Sequence, residues 1–147
     1  MIASTISTFE QLCRHFMDDI LLEFGYVYQK SFLHSRGVFL EYKCDLKRCF
    51  VFCEGKTVYV DVIVPFSDNV FYRVSINQAL WFNGVKTVSL TVPVKGQLRL
   101  LASELKRCCM EILRGDLSCP DHRYCFKMSQ AECNDYFAAL TGQKMEG

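Results

Sequence analysis

The sequence predicts an α+β domain, in which an antiparallel β-meander of four to five strands carries an N-terminal helix and C-terminal helices packed mainly on one face. Three observations predict this class. Residues 9–24 repeat apolar side chains at helical spacing, residues 26–64 alternate apolar and polar side chains in short runs, and residues 96–114 and 133–140 return to helical spacing. The short connections between the alternating runs favour antiparallel strands over βαβ units.

The first predicted helix covers residues 8–24. Its apolar side chains fall at positions 9, 12, 13, 16, 17, 20, 21 and 24, which is the stripe of an amphipathic helix. The segment Ser7-Thr8-Phe9-Glu10 has the spacing of a capping box. Gly25 follows where a left-handed C-cap residue is preferred. We therefore expect this helix to begin at Thr8 and to end before Gly25.

Four strands follow, and their alternation gives each strand one apolar face. They are predicted at Tyr26–Leu33, Val38–Cys44, Cys49–Cys53 and Thr57–Val64, with Pro65 ending the fourth. Glu54-Gly55-Lys56 has the composition of a hairpin turn. The β-branched alternation of Val85–Val94 predicts a further strand.

The second half of the chain is predicted to be mostly helical. Ser75 is expected to cap a short helix over Ile76–Phe82, and residues 96–114, followed by Gly115, form a second amphipathic pattern. Ser129-Gln130-Ala131-Glu132 is another capping box, and the helix that it begins is expected to end at Gly142. Neither a linker nor an internal repeat interrupts the chain, so residues 1–147 are interpreted as one domain.

Charge and composition argue against several function classes. Lys and Arg number 17 and Asp and Glu number 16, whereas a general nucleic-acid binder is usually far more basic. The glycines stand singly, which suits turns rather than a phosphate-binding loop. The apolar runs are much shorter than the ~20 residues that span a bilayer. We therefore expect no direct nucleic-acid partner, no membrane insertion and no bound cofactor.

The nine cysteines indicate a reducing environment. Their number is odd, the start of the chain lacks the pattern of a secretory signal, and several cysteines replace apolar residues in periodic positions. We expect a cytoplasmic protein with core thiols. An alternative is a small cysteine-dependent or redox enzyme, in which His15, His34 or His122 lowers the pKa of one thiol.

A second alternative is a zinc-stabilised adaptor or regulatory domain. Cys119-x2-His122-x2-Cys125, with Cys133 further on, offers four zinc-ligand side chains in a short stretch. Their spacing differs from the common zinc-finger patterns. The other interpretation places Cys133 in the core and His122 in a solvated loop, and on that interpretation no metal site is predicted.

Acidic and aromatic residues are the candidates for partner binding. Asp18, Asp19 and Glu23 lie in the C-terminal half of the first helix, where the helix dipole disfavours negative charge. Either they are solvated, with Arg14 offsetting part of the cost, or they form an acidic face for a basic partner. Aromatic residues are enriched where proteins meet, and Tyr72 and Trp81 are the aromatic contacts that we predict.

The order of elements resembles that of small bacterial immunity proteins of contact-dependent and polymorphic toxin systems. The resemblance covers most of the chain and includes the N-terminal amphipathic helix, the meander and the helix end Leu80-Trp81-Phe82-Asn83-Gly84. It implies a non-catalytic protein that binds a cognate toxin domain one to one and blocks its active site. The toxin is often a basic nuclease, and acidic and aromatic residues make the contact. The expected function is therefore protein binding, with the thiol enzyme and the zinc domain as alternatives.

Overall fold

The fold is organised around a six-stranded antiparallel sheet in the order β1-β2-β3-β4-β5-β6. The computed structural model describes residues 2–34, 37–85, 92–117 and 120–141. The strands are Val27–His34 (β1), Gly37–Cys44 (β2), Lys47–Glu54 (β3), Thr57–Ser67 (β4), Val70–Ser75 (β5) and Cys125–Ser129 (β6). The helices in these ranges are Ile2–Glu23 (α1), Ile76–Phe82 (α2), Val94–Cys108 (α3), Met110–Arg114 (α4) and Gln130–Thr141 (α5). The α+β prediction is confirmed, with a meander slightly larger than expected.

The two faces of the sheet have different cores because side chains alternate along each strand. Val58, Val60, Val62 and Val64 of β4 all face the larger core, which includes buried residues from α1 to α4. Ile63 joins a smaller core on the other face, together with buried side chains of α5. Most helices thus pack on one face as predicted, and among the described helices α5 is the one on the opposite face.

Helix α1 packs through a buried stripe at four-residue spacing, formed by Phe9, Cys13, Met17 and Leu21. It begins at Ile2, six residues before the predicted start, so the capping box at Ser7–Glu10 is wrong. The Glu10 carboxylate has a different use. It accepts hydrogen bonds from the Tyr28 hydroxyl at 2.5 Å and from the Ser31 hydroxyl at 3.1 Å, which attaches α1 to β1.

Where β5 ends, the backbone of β4 forms hydrogen bonds with side chains instead of with a neighbouring strand. β5 pairs with β4 only as far as Asp61, where Ser75 ends β5 and α2 begins. Beyond that point the Val60 N–H donates to Asn77 Oδ1 at 2.9 Å, and Asn77 Nδ2 donates to the Val58 carbonyl at 2.9 Å.

Gln97 of α3 continues this side-chain pairing. Its Oε1 accepts from the Val58 N–H at 2.8 Å, and its Nε2 donates to the carbonyls of Lys56 and Val92 at 2.7 and 3.0 Å. Asn77 is 6% exposed and Gln97 is 1% exposed. The two amides therefore satisfy backbone groups that burial would otherwise leave unpaired.

The outer edges of the sheet are also modified. In β6 the N–H of Cys125 donates to the Asp121 carbonyl at 2.8 Å, and the N–H of Ser129 donates to Glu132 Oε1 at 3.0 Å. In β1 the pairing shifts between Tyr28 and Lys30, and the Gln29 amide donates to the Val27 carbonyl at 3.1 Å. Bulges and occupied edge groups both hinder the addition of a foreign strand.

Several element boundaries differ from the predictions. β5 and β6 were not predicted, and the break at Cys109 divides the helix expected over residues 96–114 into α3 and α4. β4 continues through Pro65, because the register with β3 runs only as far as Ile63 and the missing N–H costs no hydrogen bond there. Residues 86–91 of the strand predicted at Val85–Val94 lie outside the described ranges, and Val94 begins α3.

Other local signals are confirmed. The Ser75 hydroxyl accepts from the Gln78 N–H at 3.3 Å and caps α2. The Ser129 hydroxyl accepts from the Glu132 N–H at 3.2 Å and completes the capping box of α5. Gly115 ends α4 with a φ of 81°, a conformation that glycine adopts readily. The predicted end of α5 at Gly142 lies outside the described residues.

Replacing Gln97 with Met removes the amide and keeps the length of the side chain. We expect a loss of about 1–3 kcal/mol in the free energy of unfolding, because the buried N–H of Val58 loses its partner and the carbonyl of Lys56 loses a partly buried hydrogen bond. Urea denaturation measures the change. The matched control is Gln78→Met on the exposed side of α2, for which we expect a change below about 0.5 kcal/mol. Equal stability of the two variants would contradict the role of Gln97.

Candidate functional site

The acidic residues of α1 are largely engaged within the molecule. Asp18 accepts a hydrogen bond from the Tyr42 hydroxyl at 2.6 Å and pairs with Arg14 at 3.0 Å. Glu23 pairs with Lys106 of α3 at 3.5 Å, and both of these side chains are exposed. Asp19 is exposed. The Arg14–Asp18 pair expected from the sequence is therefore present, and Asp18 helps to hold α1 on the sheet.

Tyr72 lies in the core and not at the surface. It is 7% exposed, and its ring meets the ring of Phe66 edge-on at a centroid distance of 5.1 Å. Tyr72 occupies the face of β5 that carries the larger core, because it alternates in phase with the buried Val74. A partner that docks on this surface would contact the exposed Phe66 side chain before it could reach Tyr72.

Trp81 and Phe82 are exposed at the end of α2, at 58% and 45% respectively. The local sequence explains their position. Ile76, Ala79 and Leu80 fill the buried side of this two-turn helix, so the helical period turns positions 81 and 82 outward.

The end of α2 is firmly held. The Asn83 amide donates to the Ala79 carbonyl at 2.7 Å, and the Asn83 N–H donates to the carbonyls of Ala79 and Leu80 at 3.2 and 3.0 Å. Gly84 then turns the chain with a φ of 83°. At the other end of the helix, Asn77 is fixed to β4. The two exposed rings are therefore presented by a short helix that is fixed to β4 near its start and capped at its end.

An arginine and a tyrosine from the segment before β6 lie against the Phe82 ring. The Arg123 guanidinium lies 4.5 Å from the centroid of the Phe82 ring, and Tyr124 lies 6.5 Å from the same ring. The Ser75 N–H donates to the Tyr124 carbonyl at 2.9 Å, which fixes this segment beside the start of α2. We call Trp81, Phe82, Arg123 and Tyr124 the aromatic–arginine patch.

Arg123 is held in place by Asp121. Its Nε and Nη2 donate to the Asp121 carboxylate at 3.1 and 2.7 Å, and its backbone N–H donates to Asp121 Oδ1 at 3.0 Å. These bonds to Arg123 lower the pKa of the Asp121 carboxyl to about 2. Asp121 thus remains ionised at neutral pH, offsets the charge of Arg123 and limits the freedom of its side chain.

The structure does not bring the predicted partner-binding residues together. α1, with Asp18, Asp19 and Glu23, packs on β1 and β2, whereas α2, with Trp81, packs on β4 and β5. Tyr72 is in the core between strand and helices. Phe82, Arg123 and Tyr124 were not predicted as site residues. In the sequence, the adjacent aromatic residues Trp81 and Phe82 were a usable signal for Phe82. The approach of Arg123 depends on the pairing of β6 with β5.

Seven of the described thiols do not resemble activated nucleophiles. Burial is the largest cause of a raised pKa at Cys13, Cys49, Cys53, Cys108, Cys109, Cys125 and Cys133, and at Cys109 it raises the pKa to about 12. A catalytic thiol needs the opposite shift, because the thiolate is the nucleophile. Cys108 is exposed, and its thiol donates to Glu104 at 3.3 Å.

The residues proposed as zinc ligands are separated by the sheet. Cys125 belongs to the larger core and Cys133 to the smaller core on the opposite face. His122 is exposed, and Cys119 lies outside the described residues. Within the described ranges, no group of three or more His, Cys, Asp or Glu side chains is arranged to hold a metal ion.

None of the helices in the described part of the chain combines the length and the apolar character needed to cross a bilayer. Comparison of the chain with protein-family models, curated protein sequences and solved structures finds no match.

The Asp121 carboxyl is expected to titrate near pH 2, well below its ordinary value of about 3.9. Since the folded-state pKa is the lower one, this group stabilises the fold above about pH 3.9 and loses that contribution as the pH falls toward 2. Carboxyl NMR titration measures the pKa directly. Arg123→Gln should raise it toward the ordinary value, and Arg99→Gln, an exposed arginine on α3, should leave it unchanged. An ordinary pKa for the Asp121 carboxyl in the unmodified protein would contradict the hydrogen bonds between Arg123 and Asp121.

Cys108 is expected to be the fastest of the eight described cysteines to react with a thiol reagent, because it is exposed whereas Cys13 and Cys49 are completely buried. Mass spectrometry of peptides after timed labelling measures each rate. The Cys108 rate should still be rising with pH at pH 9, since its pKa is raised. Cys108→Ser should abolish that peptide's labelling and leave the buried thiols protected. Rapid labelling of Cys13 in the folded protein would contradict the described core.

Proposed function

We propose that this chain is a non-catalytic protein-binding module, and in its most specific form an immunity protein that binds and blocks a cognate toxin domain. The observation that supports the proposal is the aromatic–arginine patch, with Trp81 58% exposed and Phe82 45% exposed. Trp, Tyr and Arg are the residue types most enriched among the side chains that dominate binding energy between proteins.

The patch is also ordered before any partner arrives. Arg123 is held by Asp121 and stacks on Phe82, Asn77 anchors α2 to β4, and Asn83 caps the end of α2. Side chains that are already fixed lose little conformational entropy on binding, so more of the contact energy appears as affinity. This favours a docking surface over a set of incidentally exposed rings.

The edges of the sheet support recognition through side chains. The N–H groups of Cys125 and Ser129 are occupied within the molecule, and β1 carries a bulge at Gln29. At these positions a partner strand would find no free N–H group on β6 and no regular register on β1. A partner is therefore expected to contact side chains such as Trp81 and Phe82.

The alternatives from the sequence gain no comparable support. A cysteine-dependent or redox enzyme needs a thiol of lowered pKa, and the shifts at the described cysteines run the other way. A zinc-stabilised domain using Cys125 and Cys133 needs one ion to reach both faces of the sheet. The more specific proposal of an immunity protein is additionally based on the resemblance in element order.

Two surfaces are available to a partner, and salt distinguishes them. The aromatic–arginine patch is nearly neutral because Asp121 offsets Arg123. Asp19 and Glu23 on α1 are exposed, and a basic toxin, such as a nuclease, would be attracted to them over a distance. Raising the salt concentration weakens contacts at the acidic end of α1 and has little effect on contacts at the patch.

A photo-crosslinking amino acid at position 81 tests the proposal in the native host. The matched control carries the same group at position 46, because Leu46 is exposed in the turn between β2 and β3. We expect one protein to be captured from position 81 and not from position 46. Capture from position 46 alone, or from neither position, would contradict the proposal. The purified partner then tests the immunity form, since one equivalent of this chain should abolish its toxic activity.

Trp81→Ala is expected to weaken binding of the captured partner by at least about 30-fold, because truncation of a central aromatic anchor typically costs about 2 kcal/mol or more. Leu46→Ala should change the dissociation constant by less than about twofold. Asp19→Asn with Glu23→Gln should slow association mainly at low salt. Isothermal titration calorimetry and stopped-flow kinetics measure these effects. An unchanged affinity in Trp81→Ala would show that the partner binds elsewhere.

A further inference from the structure

The geometry points to α5 as a latch that opens as a unit while the rest of the domain stays folded. This inference is independent of the proposed function and concerns the second face of the sheet, where α5 is the one helix among the described residues. Helices α1 to α4 contribute to the larger core on the other face, so their packing does not depend on the position of α5.

The seat of α5 is built from charged pairs as well as apolar side chains. On this face, Asp61 of β4 pairs with Arg73 of β5 at 3.5 Å, and Glu41 of β2 pairs with Arg48 of β3 at 3.3 Å. In the register of the sheet, Glu41 and Asp61 both lie opposite Phe50, so the two pairs flank one aromatic ring.

Two consecutive aromatic residues of α5 cover these pairs. The Phe137 ring lies 4.8 Å from the Arg48 guanidinium and 5.3 Å from the Phe50 ring. The Tyr136 ring lies 5.5 Å from the Arg73 guanidinium, and its hydroxyl donates a hydrogen bond to the Asp61 carboxylate. A single hydroxyl thus connects the helix to a carboxylate that is only 6% exposed.

Among the α5 residues whose side chains the structure describes, few others contribute to its docking. Cys133 and Phe137 are its buried side chains within the described residues, and positions 130, 131, 132, 135 and 139 are exposed. The helix packs against β1, β5 and β6, and it follows β6 directly at Ser129. Opening α5 therefore breaks a few contacts on one face and leaves the larger core intact.

The closed and open states present different surfaces. In the closed state Phe50 and Asp61 are buried and Arg48 and Arg73 are mostly covered. Opening exposes an aromatic ring between two arginine–carboxylate pairs, which is chemically distinct from the aromatic–arginine patch. Elements with few buried contacts generally open at a lower free energy than the global unfolding free energy, and α5 is such an element.

Native-state hydrogen exchange of the full chain, measured by mass spectrometry at increasing denaturant, tests the latch. We expect the amides of residues 134–141 to exchange through an opening that precedes that of β3 and β4. Tyr136→Phe removes only the hydroxyl that reaches Asp61, and it should speed exchange in α5 about tenfold or more without changing β3 and β4.

The control is Tyr28→Phe, which removes the matching tyrosine–carboxylate bond to Glu10 on the other face. It should leave exchange in α5 unchanged. A second variant, Phe137→Leu, tests the ring over Arg48 and should also speed exchange in α5 alone. Exchange of α5 and β4 in a single step, or equal acceleration of all elements by Tyr136→Phe, would overturn the inference. No change in α5 for either α5 variant would overturn it as well.

Discussion

Beyond the end of β5, the buried side-chain amides of Asn77 and Gln97 form the hydrogen bonds with β4 that a neighbouring strand would otherwise form. β4 extends beyond the segment that pairs with β5, and backbone groups of Val58, Val60 and the preceding Lys56 find their partners on α2 and α3 instead. An apolar side chain at either position would leave backbone groups unpaired in the core. The same bonds fix the positions of α2 and α3, so the display of Trp81 and Phe82 depends on them.

Polar groups determine how helices attach to both faces of this sheet. On the larger core, α1 is held by Tyr28 bonded to Glu10 and by Tyr42 bonded to Asp18. On the smaller core, α5 is held by Tyr136 bonded to Asp61. The difference lies in what surrounds each bond. α1 buries an apolar stripe of four residues in the larger core, whereas α5 contributes Cys133 and Phe137 to the smaller core beside the arginine–carboxylate pairs, and we infer that its attachment is the more easily reversed.

Some charged residues that the sequence offers as candidates for partner binding instead form contacts within the fold. Asp18 was a candidate for partner contact, yet it accepts from Tyr42 and pairs with Arg14. Conversely, Arg123 is unremarkable in the sequence but becomes part of an ordered surface, because Asp121 holds it over Phe82. These assignments depend on which side chains the fold brings within hydrogen-bond distance, and that information is absent from spacing along the chain.

The sequence by itself determined the elements with a clear period: α1 from its apolar stripe, the alternating strands β1 to β4, and α2 and α5 from Ser75 and Ser129 at their caps. It did not reveal β5 and β6, since Val70–Ser75 and Cys125–Ser129 are short. They are strands because β5 pairs with β4 and β6 pairs with β5. Only the tertiary structure decided that Tyr72 is buried, that Cys125 and Cys133 lie on opposite faces, and that Phe82 meets Arg123. The physical reason is that periodicity reports which side of an element faces a core, whereas these facts depend on which distant elements share that core or that surface.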